Sequence, residues 1–177
     1  MDSNSSLVRL DSVEKTVHEL IEKYHNCAQC TLVAIQKITG LKDDGLAKAS
    51  TGFAGGIGGT QSVCGALTGA ALALGIKYGR DVSYLEGPAE AALNKQAEAV
   101  EQTARLTKWF EREFGSILCS ALRQSHMGTD LSRDVPWQQE WADQLGMSVR
   151  CAEIAAKTAR RALAMLDDPH LNITRKI

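Results

Sequence analysis

DSVEKTVHELIEKY, from Asp11 to Tyr24, places apolar side chains at Val13, Val17, Leu20, Ile21 and Tyr24. Positions i, i+4, i+7, i+8 and i+11 fall on one stripe of a helix, so this segment reads as amphipathic α-helix packed against a core. Working outward, the same period recurs and strand-like alternation does not. Asn26 can cap a helix running to Ile38, which Thr39-Gly40 ends, and a short helix is expected across Asp43 to Gly52. Small residues from about Gln61 to Lys77 form a further helix, Ala89 to Phe114 a long one, and Gly115 to His126 another. Met127 to Pro136 reads as a loop, Trp137 to Leu145 as a short helix and Ser148 to Leu166 as the last one. The expected fold is all-α: one domain over residues 1–177, six to eight helices with a glycine-rich loop, and residues 1–10 as a flexible N-terminus.

Composition agrees. Twenty Lys plus Arg against 21 Asp plus Glu give a net charge of −1, which argues against a nucleic-acid partner held by a basic surface. With 44% hydrophobic and 23% charged residues the chain can bury a full core. Met1 to Asp11 lacks a basic region leading into an apolar one, so a secretory leader is not expected and a cytoplasmic location is the default. Phe53 to Ile76 carries no charge, but its first third is mostly glycine and it includes Gln61, so no membrane span is expected there.

Twelve of the 15 glycines lie between Gly40 and Gly87, densest in Gly52-Phe53-Ala54-Gly55-Gly56-Ile57-Gly58-Gly59. Backbone freedom concentrated in this way implies that something approaches the main chain closely. The loop lacks a Walker lysine and no strand precedes it, so it is a poor phosphate cradle. Gly65 and Gly69, four apart on one helical face, permit either close helix packing or a bound group.

Five cysteines, Cys27, Cys30, Cys64, Cys119 and Cys151, fall on four predicted helices. In a reducing compartment they are metal ligands, redox groups or small buried hydrophobes. Cys27 lies at a helix start, where free amides and the helix dipole favour thiolate, and Cys27-Ala28-Gln29-Cys30 spells C-x-x-C without the βαβ context of a thioredoxin-like pair. Cys151 shares a face with Ile154, Ala155, Thr158, Ala162 and Met165, as a core residue does. Cys119 lies about 220° from Leu106 on a helical wheel, so either Gly115 breaks the helix and resets its phase or Cys119 faces a second buried partner.

Asn26-Cys27-Ala28-Gln29, Gly52 to Gly58, Cys64-Gly65-Ala66-Leu67-Thr68-Gly69-Ala70, Leu74 to Gly79 and the later single Cys119 and Cys151 together resemble the redox-active family named for its C_GCAxxG_C_C pattern. The resemblance assigns its four signature cysteines to Cys27, Cys64, Cys119 and Cys151 and leaves Cys30 outside. A similar module occurs in split-Soret cytochromes, where an iron–sulfur centre accompanies the haems; this chain has no C-x-x-C-H for covalent haem. The resemblance thus implies an iron–sulfur cluster on those four cysteines, with Gly55, Gly56, Gly58, Gly59 and Gly65 bringing backbone close to its sulfurs.

Three functions follow. The first is electron transfer or redox sensing through that centre with a redox partner protein of unknown identity. The second is metal-free thiol–disulfide chemistry, in which Cys27 attacks and Cys30 or Cys64 resolves. The third is a structural zinc or a non-catalytic interaction protein. His18, His25, His126 and His170 share no ligand spacing and read as surface or capping groups. Trp109, Trp137 and Trp141 read as core or homodimer contacts, and the charged run from Glu98 to Glu113 as a solvated helix face.

Overall fold

The computed structural model describes residues 3–127 and 147–171. Seven α-helices pack into one all-α domain among the described residues: α1 Ser3–Tyr24, α2 Cys27–Thr39, α3 Asp44–Ala49, α4 Gly65–Tyr78, α5 Ala89–Phe114, α6 Cys119–Met127 and α7 Met147–Asp167. Short 3-10 turns occupy Ser50–Phe53 and Val82–Leu85. The sole β-type pairing among the described residues is one isolated antiparallel bridge, Val63 to Leu118. Apart from Met127, which closes α6, the loop expected at 127–136 and the helix expected at 137–145, with Trp137 and Trp141, lie outside the described residues.

Most elements end where their punctuation predicts. The Asn26 side chain accepts the Gln29 amide at 2.9 Å and caps α2, and Gly40 closes it at φ 78°. Asp43 caps α3 in the same way. Helix α5 runs from Ala89 to Phe114, and Gly115 at φ 82° stops it. That break decides between the two readings of Cys119: a new helix begins there with its phase reset, and Cys119 is buried.

Helix α1 begins at Ser3, eight residues ahead of the expected start, and takes up most of the stretch expected to be flexible. Leu7 and Val8 are exposed, which hides the first turns from a periodicity reading. Leu10 joins Val13, Val17 and Ile21 in the core, and Arg9 reaches both carboxylate oxygens of Asp167 at 2.9 Å. Tyr24, expected on the stripe, is exposed, because α1 ends there and the chain turns at His25 with φ 53°.

The uncharged stretch Phe53 to Ile76 divides into the glycine loop and the 14-residue α4. No helix among the described residues is long and apolar enough to cross a membrane. Instead α4 is the central helix, packed on α2, α5 and α7. Being apolar nearly all round suits a helix with neighbours on several sides. Leu106 and Phe110 of α5 and Ala155, Ala159, Ala162 and Leu163 of α7 complete the core. His18 and His170 are exposed, as expected of them.

Candidate functional site

The cysteines stand where helices begin. Cys27 is the first residue of α2, Cys64 immediately precedes α4, Cys119 is the first residue of α6, and Cys151 opens the second turn of α7. Helix starts carry amides without intrahelical partners and the positive end of the dipole, which favours negative charge at Cys27 and Cys64, whereas Cys151 lies a turn further into its helix. Backbone bonds hold two of these starts together: Cys64 N donates to Ile117 O at 2.9 Å, Cys119 N to Ser62 O at 2.7 Å and Ser120 N to Gln61 O at 3.1 Å. This non-local pairing delays α4 to Gly65, four residues past its expected start.

The glycines divide into two groups. A Cβ on Gly65 would stand 2.3 Å from Cys27 Sγ, and one on Gly69 would stand 2.2 Å from Ala28 O. Both openings of the G-x-x-x-G pattern are therefore used, Gly69 for helix packing and Gly65 for the sulfur. Gly56 lies against Cys119, where an added Cβ would meet Cys119 Cβ at 2.9 Å and Ser62 N at 2.6 Å. Gly58 and Gly59 have open space around them, and their amides bond within the loop, to Gly52 O at 2.8 Å and Ala54 O at 3.0 Å. Their contribution is conformational, since residues 55 to 59 all lie in the left-handed region with φ of 62°, 74°, 62°, 61° and 77°. A left-handed turn is accessible chiefly because four of those five residues lack a Cβ; Ile57 is the exception.

Electrostatics links the thiols. Cys64 feels the charges of Cys27, Cys119 and Cys151, and Cys151 feels those of Cys27 and Cys119. The four sulfurs therefore lie within one another's electrostatic reach. Cys30, buried one turn into α2, is coupled to Cys27. Backbone amides of Gly55, Ala28, Cys27 and Gly65 lower the Cys27 thiol, so two helix starts and the glycine loop all address this one sulfur.

Burial nevertheless wins at every site, and this reverses the expectation of a lowered Cys27. Its pKa is raised, that of Cys64 is raised well above the usual thiol range, and Cys119 and Cys151 are pushed up to about 11 and about 12. Desolvation opposes the charged form more strongly than the amides favour it. Cys30 is likewise pushed up to about 11. All five cysteines are free thiols. Among the described residues no three His, Cys, Asp or Glu side chains are grouped closely enough to hold a single metal ion.

One further group belongs to the site, and the cysteine pattern does not point to it. Arg123 is buried on α6, and its charge lowers both Cys119 and Cys151. The signal that could have found it is its spacing of four from Cys119, the distance that puts two residues on one helical face. Asn26 and Gln29 fix the approach of the loop, donating to Thr51 O at 3.1 Å and Ala47 O at 3.0 Å respectively.

A family model described as "Putative redox-active protein (C_GCAxxG_C_C)" matches residues 25–165, a span that includes all five cysteines and the glycine loop. Neither the curated proteins nor the solved structures contain a match to the chain.

Proposed function

Because this chain belongs to the C_GCAxxG_C_C family, we propose that it holds an iron–sulfur centre on Cys27, Cys64, Cys119 and Cys151 and serves in electron transfer or redox sensing. One observation carries the reading: four desolvated thiols, three of them at helix starts, lie within one another's charge, each with a raised pKa. Left as free thiols they stay protonated near neutral pH and are weak nucleophiles, which counts against metal-free thiol–disulfide exchange. Shared with a cation, the same groups deprotonate and become a compact anionic donor set.

Such a centre, when bound, supplies one-electron transfer. The protein's own residues do the rest. Gly55, Ala28 and Gly65 direct amides at the Cys27 sulfur, Ala66 directs one at Cys64, and Arg123 sets positive charge beside Cys119 and Cys151. Hydrogen bonds and positive charge at thiolate sulfurs raise a potential by offsetting the negative charge of the reduced form. A reducing, cytoplasmic setting and a redox partner protein form part of the proposal.

The test is the visible spectrum of anaerobically purified protein read beside its metal content. Charge-transfer bands with iron and sulfide are expected. Zinc without colour would replace the reading with a structural site, and the absence of both would leave thiol chemistry.

A further inference from the structure

We infer that the outer face of α5 is a self-association surface, against which a second copy of this chain docks antiparallel with the two-fold axis beside Ala104. The inference is independent of the proposed centre. Helix α5 turns Leu106 and Phe110 into the core. Around the helix from them, Leu93, Ala97, Val100, Ala104 and Thr107 follow at i, i+4, i+7, i+11 and i+14, a second stripe without a charged residue. This stripe is not covered: Leu93 is 60% and Val100 59% exposed, and Ala97 and Ala104 are exposed too. A groove of about 490 Å³ runs along it, lined by Ala99, Val100, Thr103, Ala104, Thr107 and Lys108. Trp109, by contrast, is turned to the packed side, edge-on to Phe114 and beneath the Arg161 guanidinium.

Single exposed apolar side chains need no partner, but these are concentrated. Four of the ten large hydrophobic residues exposed among the described residues, Val82, Leu85, Leu93 and Val100, belong to α5 and the 3-10 turn packed on it. The edge of the stripe says which partner fits. Glu101 and Lys108 lie on the same edge, three residues before Ala104 and four after it, both exposed and in no ion pair with a described residue. A second α5 related by a two-fold axis beside Ala104 runs the other way and sets each Glu101 opposite the other copy's Lys108. Symmetry makes that pairing twice, as a self-complementary interface requires. Alanine at the crossing lets the two helices approach, and Val100 meets Thr107 on either side of it. A partner surface of a single sign would set either Glu101 or Lys108 against like charge. The chain's net charge of −1 does little to keep copies apart.

The experiment is sedimentation equilibrium of the full chain, kept reduced, over a range of concentrations. Wild type is expected to show a monomer–dimer equilibrium, and Val100→Glu to weaken it by about tenfold or more. Glu101→Lys leaves two lysines on the edge of the stripe and Lys108→Glu leaves two glutamates, so each variant alone is expected to associate more weakly than wild type. Mixed in equal amounts, the two are expected to form a mixed dimer of about wild-type affinity, because every lysine then faces a glutamate.

A wild-type chain that stays monomeric overturns the inference, and so does a dimer that Val100→Glu leaves intact, which would place the contact elsewhere. If mixing the two charge variants restores nothing, the antiparallel arrangement about Ala104 is wrong and the inference falls. Should Val100→Glu lose helical circular dichroism, the charge variants, which alter exposed side chains alone, decide the matter. None of these outcomes bears on bound iron, so the proposed function stands or falls separately.

Discussion

The two ends of the central helices treat the same backbone problem in opposite ways. Where α7 finishes, side chains of α4 and α5 meet its last carbonyls and those of the residues that follow. Lys77 donates to Leu166 O, Tyr78 Oη to Met165 O at 3.0 Å, Gln102 to Pro169 O at 3.2 Å, and Arg105 to both Pro169 O and Leu171 O. Cationic, amide and hydroxyl donors there meet acceptors that a helix end leaves open. Where α2, α4 and α6 begin, and one turn into α7, the chain places thiols, with Cys64 and Cys119 buried and Cys27 and Cys151 half-buried. That end has donors directed at sulfur and protons held where charge would otherwise sit. Stability accounts for the first end. Under the proposed function, the second serves as the donor set.

The contrast breaks most sharply at Cys64, which feels the other three thiols together. Cys64→Ser is expected to abolish bound iron, read as iron per chain after anaerobic reconstitution, while the helical circular dichroism stays as in wild type. Wild-type iron content in this variant would remove Cys64 from the donor set and with it the four-cysteine centre.

At the opposite end the expected effect is on stability. Arg105→Ala deletes the donor that serves Pro169 O and Leu171 O. A loss of about 1.5–3 kcal/mol in denaturant unfolding is expected, the usual range for hydrogen bonds to a charged group. Iron per chain should not change. A variant that unfolds no more easily but loses iron would show that the two ends are not separable.

The thiols also give the metal-free protein a pH dependence of definite sign. Cys119 moves from an ordinary 9.0 to about 11 on folding, so between those values the folded chain holds a proton that the unfolded chain has lost. Stability from this group is full below pH 9 and is lost as pH rises through 11. At pH 10 the loss is about 1.4 kcal/mol for this thiol. Unfolding of the reduced apo-protein at pH 8 and pH 10 should show it, and Cys119→Ser should show correspondingly less. An equal fall in both proteins would place the titration elsewhere. Iron affinity should move the other way and strengthen with pH, because ligation requires the deprotonated thiol.

Much of this contrast is legible in the sequence, for physical reasons. Asn26, Gly40, Pro88 and Gly115 act through local backbone geometry, and the helix boundaries they set can be read residue by residue. The start of α4 cannot, because Gln61 to Cys64 is held by Ile117 to Ser120, more than fifty positions along the chain. The direction of the Cys27 shift is also hidden. Its helix-start position is local and visible, whereas the burial that outweighs it depends on Gly65, the glycine loop and their packing. Arg123 escapes notice because an arginine in an exposed-looking helix reads as surface until its neighbours are known.

On the centre itself the smallest effect is expected at Cys30, the residue that best separates the two redox chemistries. It is 3% exposed among core side chains, one turn from Cys27 on the same helix, with its own thiol pushed up to about 11. A resolving cysteine needs to reach its partner and exchange as thiolate, which a desolvated thiol of this kind does poorly near neutral pH. A small buried hydrophobe needs only to fill its space. Cys30→Ser is therefore expected to keep full iron content and an unshifted midpoint potential. Its cost should be limited to about 1–2 kcal/mol of stability, from placing a hydroxyl where a thiol packs. Denaturant unfolding and a dithionite titration on the same sample measure both quantities. If the variant instead loses all redox activity, and the wild-type protein never held metal, Cys27 and Cys30 are an exchanging pair and the helix-start end of the molecule works by thiol chemistry alone.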